Sequence, residues 1–290
     1  MIRGRDLVGL AVLTLLWGVN WPIMKFSLRE ITPLFFRAAT MGCGALLLGA
    51  SYALRGESMR LPRAAWLPVA WLALPNIFGW HLFSILGVQE LASGRAAILG
   101  FTMPIWTTLL AVVFFGERLT PRVAFSAVCA LAAIGLLLMH ELTALAGRPL
   151  GVLWMQIAAL AWAFGTILMR RTKLTLPTPV ITVWMMGLSA AGFWIAAPLV
   201  EPWPTWHFSP LMWVALAWGA AVNYGVAQIL WFRLARNLPP TASAFSIMAV
   251  PIVGIASAIP LVGEMPRWQD HVAALLGIAA IAAALLRRPT

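Results

Sequence analysis

Negative charge is scarce in this chain. Asp and Glu number nine among 290 residues, against 20 Lys and Arg, and charged residues make up only 10% of the sequence. A soluble domain carries roughly 25% charged residues and 45–50% apolar ones. Here 62% are hydrophobic, which leaves too little polar surface to face water and excludes a soluble globular domain. Apolar runs recur from Leu7 to Leu286, each about 20 residues long, the length that crosses a hydrocarbon layer of ~30 Å. The runs do not alternate with period two, which excludes a membrane β-barrel. Cysteine is limited to Cys43 and Cys129, both inside apolar runs, where they read as small buried hydrophobes. The metal motif His-Glu-x-x-His, the Gly-x-Ser-x-Gly elbow and phosphate-cradling glycine loops are absent. Their absence argues against an enzyme and implies no cofactor. His140, His207 and His271 stand alone near span ends. The first apolar run is too long for a signal peptide and lacks a cleavage site.

The few carboxylates are also confined in place. Asp6, Glu30, Glu57, Glu90, Glu117, Glu141, Glu201, Glu264 and Asp270 all fall at or near the ends of apolar runs. An ionisable group in hydrocarbon costs several kcal/mol and is kept for a purpose, such as binding a driving ion. With none at mid-span, any carrier built from these spans is expected to be facilitated and not tightly ion-coupled. His81 alone is titratable well inside a span, and it could take up a proton near physiological pH. The net charge of +11 is dispersed at the ends of runs. It fits lipid headgroups as partners and not nucleic acid.

Spans are predicted at 7–27, 31–54, 66–87, 94–115, 122–140, 150–169, 178–199, 210–232, 239–262 and 269–287. Most Lys and Arg, from Arg3 and Arg5 to Arg287 and Arg288, fall on one side. Lys25, Arg29, Arg37, Arg95, Arg148 and Arg267 fall on the other or approach it. The positive-inside rule then places both termini in the cytoplasm. The fold class expected is an all-α integral membrane protein of ten transmembrane helices.

Two copies of one phrase run through these spans. Met103-Pro104-Ile105 leads to Gly116-Glu117, and Val250-Pro251-Ile252 leads to Gly263-Glu264. The shift is 147 residues (251 − 104), and it also aligns Trp66 with Trp213, Trp71 with Trp218, Asn76 with Asn223, Leu91 with Leu238 and Ala97 with Ala244. The chain divides into a first five-helix repeat, 1–147, and a second, 148–290. Because five is odd, the second enters the membrane upside down. Inverted repeats belong to carriers that alternate access around a midplane site.

Leu16-Trp17-Gly18-Val19-Asn20 with Lys25, then Phe36-Arg37-Ala38, and the run from Ala97 to Glu117 echoed by Pro251 to Glu264 resemble the drug/metabolite transporter superfamily, in its EamA-type branch. Within that branch the chain is similar to the YddG-type exporters of aromatic amino acids. The resemblance implies a secondary carrier that exports aromatic and other hydrophobic amino acids across the bacterial inner membrane by alternating access. Export of drugs, nucleobases or other amphipathic metabolites, possibly proton-coupled, is the alternative.

Several side chains could serve such a carrier. His81 and Gln228, related by the same shift, Asn20, and the pair Asn76 and Asn223 are polar groups at membrane depth, which must find partners inside the bundle. They either bind the amino and carboxylate groups of a solute or join helices. Trp17 and Trp162 lie too deep to be interfacial anchors, so their rings either stack on a solute from opposite walls or pack between helices. Phe78, Trp80 and Phe101 are weaker candidates of the same kind. Pro104 and Pro251, with Gly100 and Gly254, are either hinges or static kinks. Glu117 and Glu264 read as turn and cap residues. Lys25 and Arg37 either snorkel to headgroups or line an outer vestibule that attracts carboxylates. Small faces on the second, fifth and tenth spans permit close packing, and those of the fifth and tenth could form either a homodimer contact or packing within the chain.

Overall fold

The structure, a computed structural model, describes residues 4–116, 120–143, 147–231 and 240–285. Glu117, Arg118, Leu238 and the terminal Arg3, Arg287 and Arg288 lie outside them. The regular secondary structure of the described residues is all helical, with no strand. The helices are α1 (Gly4–Ser27), α2 (Pro33–Ala53), α3 (Trp66–Ala73), α4 (Trp80–Glu90), α5 (Ser93–Gly100) and α6 (Met103–Phe115). Then follow α7 (Pro121–Thr143), α8 (Pro149–Arg171), α9 (Thr178–Val200), α10 (Pro210–Ala217), α11 (Pro240–Val262) and α12 (Trp268–Leu285). Among the described residues, eight helical stretches are long and apolar enough to cross a membrane, and Ala249–Val262 and Trp268–Ala283 are shorter apolar helices.

Proline opens α2, α8 and α10, where its missing N–H would have had no helical partner. Glycine closes α6 and α11. Gly116 and Gly263, the matched glycines of the repeated phrase, both adopt left-handed conformations, with φ of 70° and 73°, which a side chain would oppose.

Two departures from regular helix occur at matched places. A π-helical segment, Leu74–Gly79, joins α3 to α4, and another, Trp218–Val226, follows α10. The fourth predicted span is not one helix. It breaks at Phe101 and Thr102, and Pro104 sits in the first turn of α6 instead of inside a helix. Pro251, by contrast, lies within the continuous α11.

Residues before and after position 147 interlock. Helix α1 packs on α11, α4 on α8, α2 on α9 and on the second π segment, and α7 on α12. In lipid such pairs are held by close packing, small residues and occasional hydrogen bonds. The small faces of α7 and α12 meet each other: Ser126 donates to the Ala280 carbonyl at 2.6 Å, and Ala130, Ala133 and Ala280 are buried. These faces therefore serve packing within the chain. Leu46, Leu67, Ile195 and Leu275 point outward.

Candidate functional site

The first π segment ends just before Trp80 and His81, and the second contains Tyr224. A π turn widens the helix by one residue and recurs at functional sites. Here the two segments bring His81 and Tyr224 together across the bundle. The Tyr224 hydroxyl lies 3.2 Å from His81 Nδ1, with ring centroids 5.4 Å apart. Tyr224 fits because α2 carries a glycine opposite it. A Cβ on Gly44 would stand 2.3 Å from Tyr224 Cβ.

A chain of rings continues from there. His81 adjoins Trp80 at 6.4 Å, Trp80 adjoins Trp162 at 4.6 Å and Trp21 at 6.3 Å, and Trp21 adjoins Phe101 at 6.3 Å. Trp80, His81 and Trp162 are half-buried, whereas Trp21 and Phe101 are fully buried. Below this group Gln156 Oε1 accepts from Trp106 Nε1 at 2.9 Å. Rings of this kind offer large apolar faces with edges and N–H groups for polar contacts.

Arg37 completes the polar end. It is 2% exposed, so it neither snorkels to headgroups nor faces an outer vestibule. Its stem turns inward from the second turn of α2, where neighbours engage the fork. Nη1 donates to the Tyr224 hydroxyl at 3.1 Å, Nη2 to Ser84 Oγ at 3.2 Å, and Nε to the His81 carbonyl at 3.3 Å.

The other residues singled out in the sequence distribute as follows. Trp162 lies in the ring chain, but Trp17 does not. Its ring meets Trp231 at 5.5 Å, so the two tryptophans do not face each other as opposite walls. Phe78 stacks on Phe193 at 4.6 Å, against α9. Asn76 Nδ2 donates to the Leu72 carbonyl at 3.0 Å and the Gly165 carbonyl at 2.9 Å, which ties its segment to α8. Asn20 and Asn223 are buried, and Gln228 is half-buried one turn beyond Tyr224. The residue that meets His81 is thus Tyr224, four before the symmetry-matched Gln228.

Gly100 has a packing role: a Cβ there would come within 3.0 Å of both Trp21 and Trp80. Gly254 borders α5 and α1, with a notional Cβ 3.3 Å from Ala97 Cβ. Both glycines let rings or helices approach closely.

Polar bonds also gather at one face of the bundle, where they join the halves. Glu264 accepts from Ser93 N and Oγ, both at 2.7 Å. Glu201 accepts from Leu34 N at 3.0 Å and Phe35 N at 3.2 Å, and Glu30 accepts from Ser209 N at 2.8 Å. These carboxylates sit at helix N-termini, where orphan N–H groups and the dipole favour them. Arg95 is buried between Asp270, at 2.7 Å, and Glu141. A cavity of about 300 Å³ lies at this face, lined by Lys25, Leu28, Arg29, Gln89, Val262 and Glu264. Lys25 Nζ donates to the last carbonyls of α4, Val88 and Gln89, both at 2.8 Å. It lines the cavity instead of reaching for headgroups.

Sequence reasoning missed Trp21, Tyr224, Ser84 and Gln156 as members of the site. Trp21 is one turn from Trp17 in the same helix, so ring depth alone could have found it. Tyr224 adjoins the matched Asn223.

Comparison with known proteins gives a consistent picture. The EamA-like transporter family matches residues 7–139 and again residues 149–286. "Uncharacterized transporter YoaV" of Bacillus subtilis is 20% identical over 87% of this chain and 86% of its own. "Uncharacterized inner membrane transporter YedA" of Escherichia coli is 23% identical over 96% and 89%. A Chlamydia trachomatis protein named S-adenosylmethionine/S-adenosylhomocysteine transporter is 23% identical over 86% and 79%. A solved crystal structure superimposes with a TM-score of 0.67 over 98% of this chain and 97% of its own, at 21% identity, which is a likeness of fold.

Proposed function

The chain belongs to the EamA-like transporter family, and from that premise we propose that it is a secondary carrier exporting aromatic and other hydrophobic amino acids across a bacterial inner membrane. The observation that carries the substrate class is the ring chain Phe101–Trp21–Trp80–Trp162, which leads at Trp80 into the polar group His81–Tyr224–Arg37. One end suits a planar or aliphatic side chain, and the other suits the charged end of an amino acid.

The proposed architecture is ten transmembrane helices in two inverted repeats, 1–147 and 148–290, with both termini cytoplasmic. Support comes from the double family match, the two π segments and the paired left-handed glycines. Support also comes from packing that exchanges on swapping halves: α1 on α11 answers α8 on α5 and α6. The broken fourth span resembles the interrupted helices that form carrier sites. No described carboxylate stands beside the ring chain, which favours facilitated exchange over tight ion coupling.

Purified protein in proteoliposomes should show saturable flux of radiolabelled L-phenylalanine, with threonine as the poorer solute. Flux should persist without a pH gradient, and His81→Ala should change affinity without abolishing movement. Absence of saturable flux for any amino acid would remove this reading. A second reading is export of larger amphipathic metabolites. The Chlamydia relative's name favours it, since its solutes join an amino-acid end to an aromatic base.

A further inference from the structure

We propose that Arg37 is the anchor for a carboxylate on the transported solute. The solute is then an anion or zwitterion whose carboxylate adjoins an apolar or aromatic body. The proposal rests on reading the ring chain as the solute site.

The argument begins with the environment of the charge. Arg37 is 2% exposed inside an apolar bundle. A guanidinium taken out of water costs several kcal/mol unless an opposite charge and hydrogen bonds compensate it. Arg37 has the hydrogen bonds, but they go to neutral oxygens: a phenol, a serine hydroxyl and a backbone carbonyl. Among the described residues no carboxylate lies within ion-pair distance of it.

The described carboxylates are engaged or placed elsewhere. Glu141 and Asp270 hold Arg95, Glu90 pairs with Arg148, and Glu30 and Glu264 accept from Ser209 and Ser93. Glu201, at the end of α9, is engaged by the first amides of α2, the helix that carries Arg37. Asp6 is near the start of α1, and Glu57 is in an exposed connector. Arg95 shows how this chain treats a buried arginine when the charge is balanced internally: two carboxylates enclose it. Arg37 receives none.

A guanidinium has five N–H groups. Three are engaged, one on each nitrogen, which leaves one on Nη1 and one on Nη2. Each can donate a charge-assisted hydrogen bond to a carboxylate oxygen. The neighbouring ring chain fixes where the rest of the solute would lie. His81 touches the same tyrosine as Arg37 and adjoins Trp80, so a carboxylate on Arg37 directs the apolar body toward Trp80 and Trp162.

The test uses the full purified chain and three probes of similar shape: L-phenylalanine, 3-phenylpropionate and L-phenylalaninamide. Binding is read from quenching of tryptophan fluorescence. Both acids should bind wild type about ten- to hundredfold more tightly than the amide, the usual range for a charge-assisted hydrogen bond. Arg37→Gln should bring that ratio close to one, and Arg37→Lys should keep part of it. An amide that binds wild type as well as the acids overturns the proposal, as does an acid preference unchanged in Arg37→Gln. Should Arg37→Gln fail to fold, the wild-type ratio and its fall in Arg37→Lys decide the matter. The transport reading is separable. If L-phenylalanine is not carried but 3-phenylpropionate binding depends on Arg37, that reading fails and the anchor stands. If flux is saturable and the amide moves as fast as the acid, the anchor fails and the reading stands.

Discussion

Replacing Gly44 with alanine should damage the site without touching any polar group in it. The added Cβ would lie 2.3 Å from Tyr224 Cβ and 3.1 Å from the Ala220 carbonyl oxygen. Carbon atoms in contact settle at about 3.5–4.0 Å, so α2 and the second π segment must part by more than 1 Å at this crossing. Neither obstacle is the free end of a flexible side chain, so a rotamer change cannot relieve the clash. Overpacking of this kind costs about 1–3 kcal/mol, and the better helix propensity of alanine returns about 1 kcal/mol. With both obstacles fixed the cost lies in the upper half of that range, about 2–3 kcal/mol, and the net loss of about 1–2 kcal/mol corresponds to a fall of roughly 2–6 °C in melting temperature. The shift also lengthens the Tyr224 bonds to Arg37 and His81, now 3.1 and 3.2 Å, so solute affinity should fall with stability. The chain carries 16 tryptophans, and thermal unfolding in detergent can be followed by their fluorescence. Gly135→Ala is the internal control, because nothing lies within 4 Å of a Cβ there. If Gly44→Ala melts at the same temperature as Gly135→Ala and binds solute equally well, the close-approach argument is wrong.

Arg95→Gln should lower stability by about 3–5 kcal/mol, since it leaves Asp270 and Glu141 without their cation at side-chain exposures of 6% and 8%; a thermal melt near that of wild type would refute it. Trp80→Ala removes the ring between Trp162, His81 and Trp21. It should weaken L-phenylalanine binding by about tenfold, more than leucine binding, as read by competition in proteoliposomes. Glu30 is held below the ordinary carboxylate value by hydrogen bonds from the Ser209 side chain and backbone. A depressed folded-state value contributes stability above the unfolded value that is lost as pH falls through the folded one. The melting-temperature gap between wild type and Glu30→Gln should therefore be small, present at neutral pH and closed in strong acid. A gap that widens on acidification would contradict the assignment.

The helices were legible in the sequence because the rules that write them are local. Apolar length set the spans, and the repeated Gly-Glu phrase located the left-handed ends at Gly116 and Gly263. The polar end of the site was less legible. A shift of 147 pairs His81 with Gln228, but the residue that packs on His81 is Tyr224, one turn earlier and within the second π segment. Which side chains meet depends on packing across the bundle and leaves no mark in spacing. Arg37 was visible as a charge near a helix end. Its direction was not, because the same side chain can reach outward to water or inward to Ser84 and Tyr224. Gly100, four residues before Pro104, read as part of a hinge or of a static kink; that its missing side chain also admits Trp21 and Trp80 was not visible, because those rings come from other helices.

The interruption at Phe101 and Thr102 has no counterpart in α11, although Pro251 removes a backbone donor at the matching place. If related halves take turns at two shapes, the unseen conformer is already specified. Its fourth span would straighten into a single rod, and its ninth would snap in the turn ahead of Pro251. A single structure would then hold both ends of the stroke, the second obtained by letting each half borrow the outline of the other.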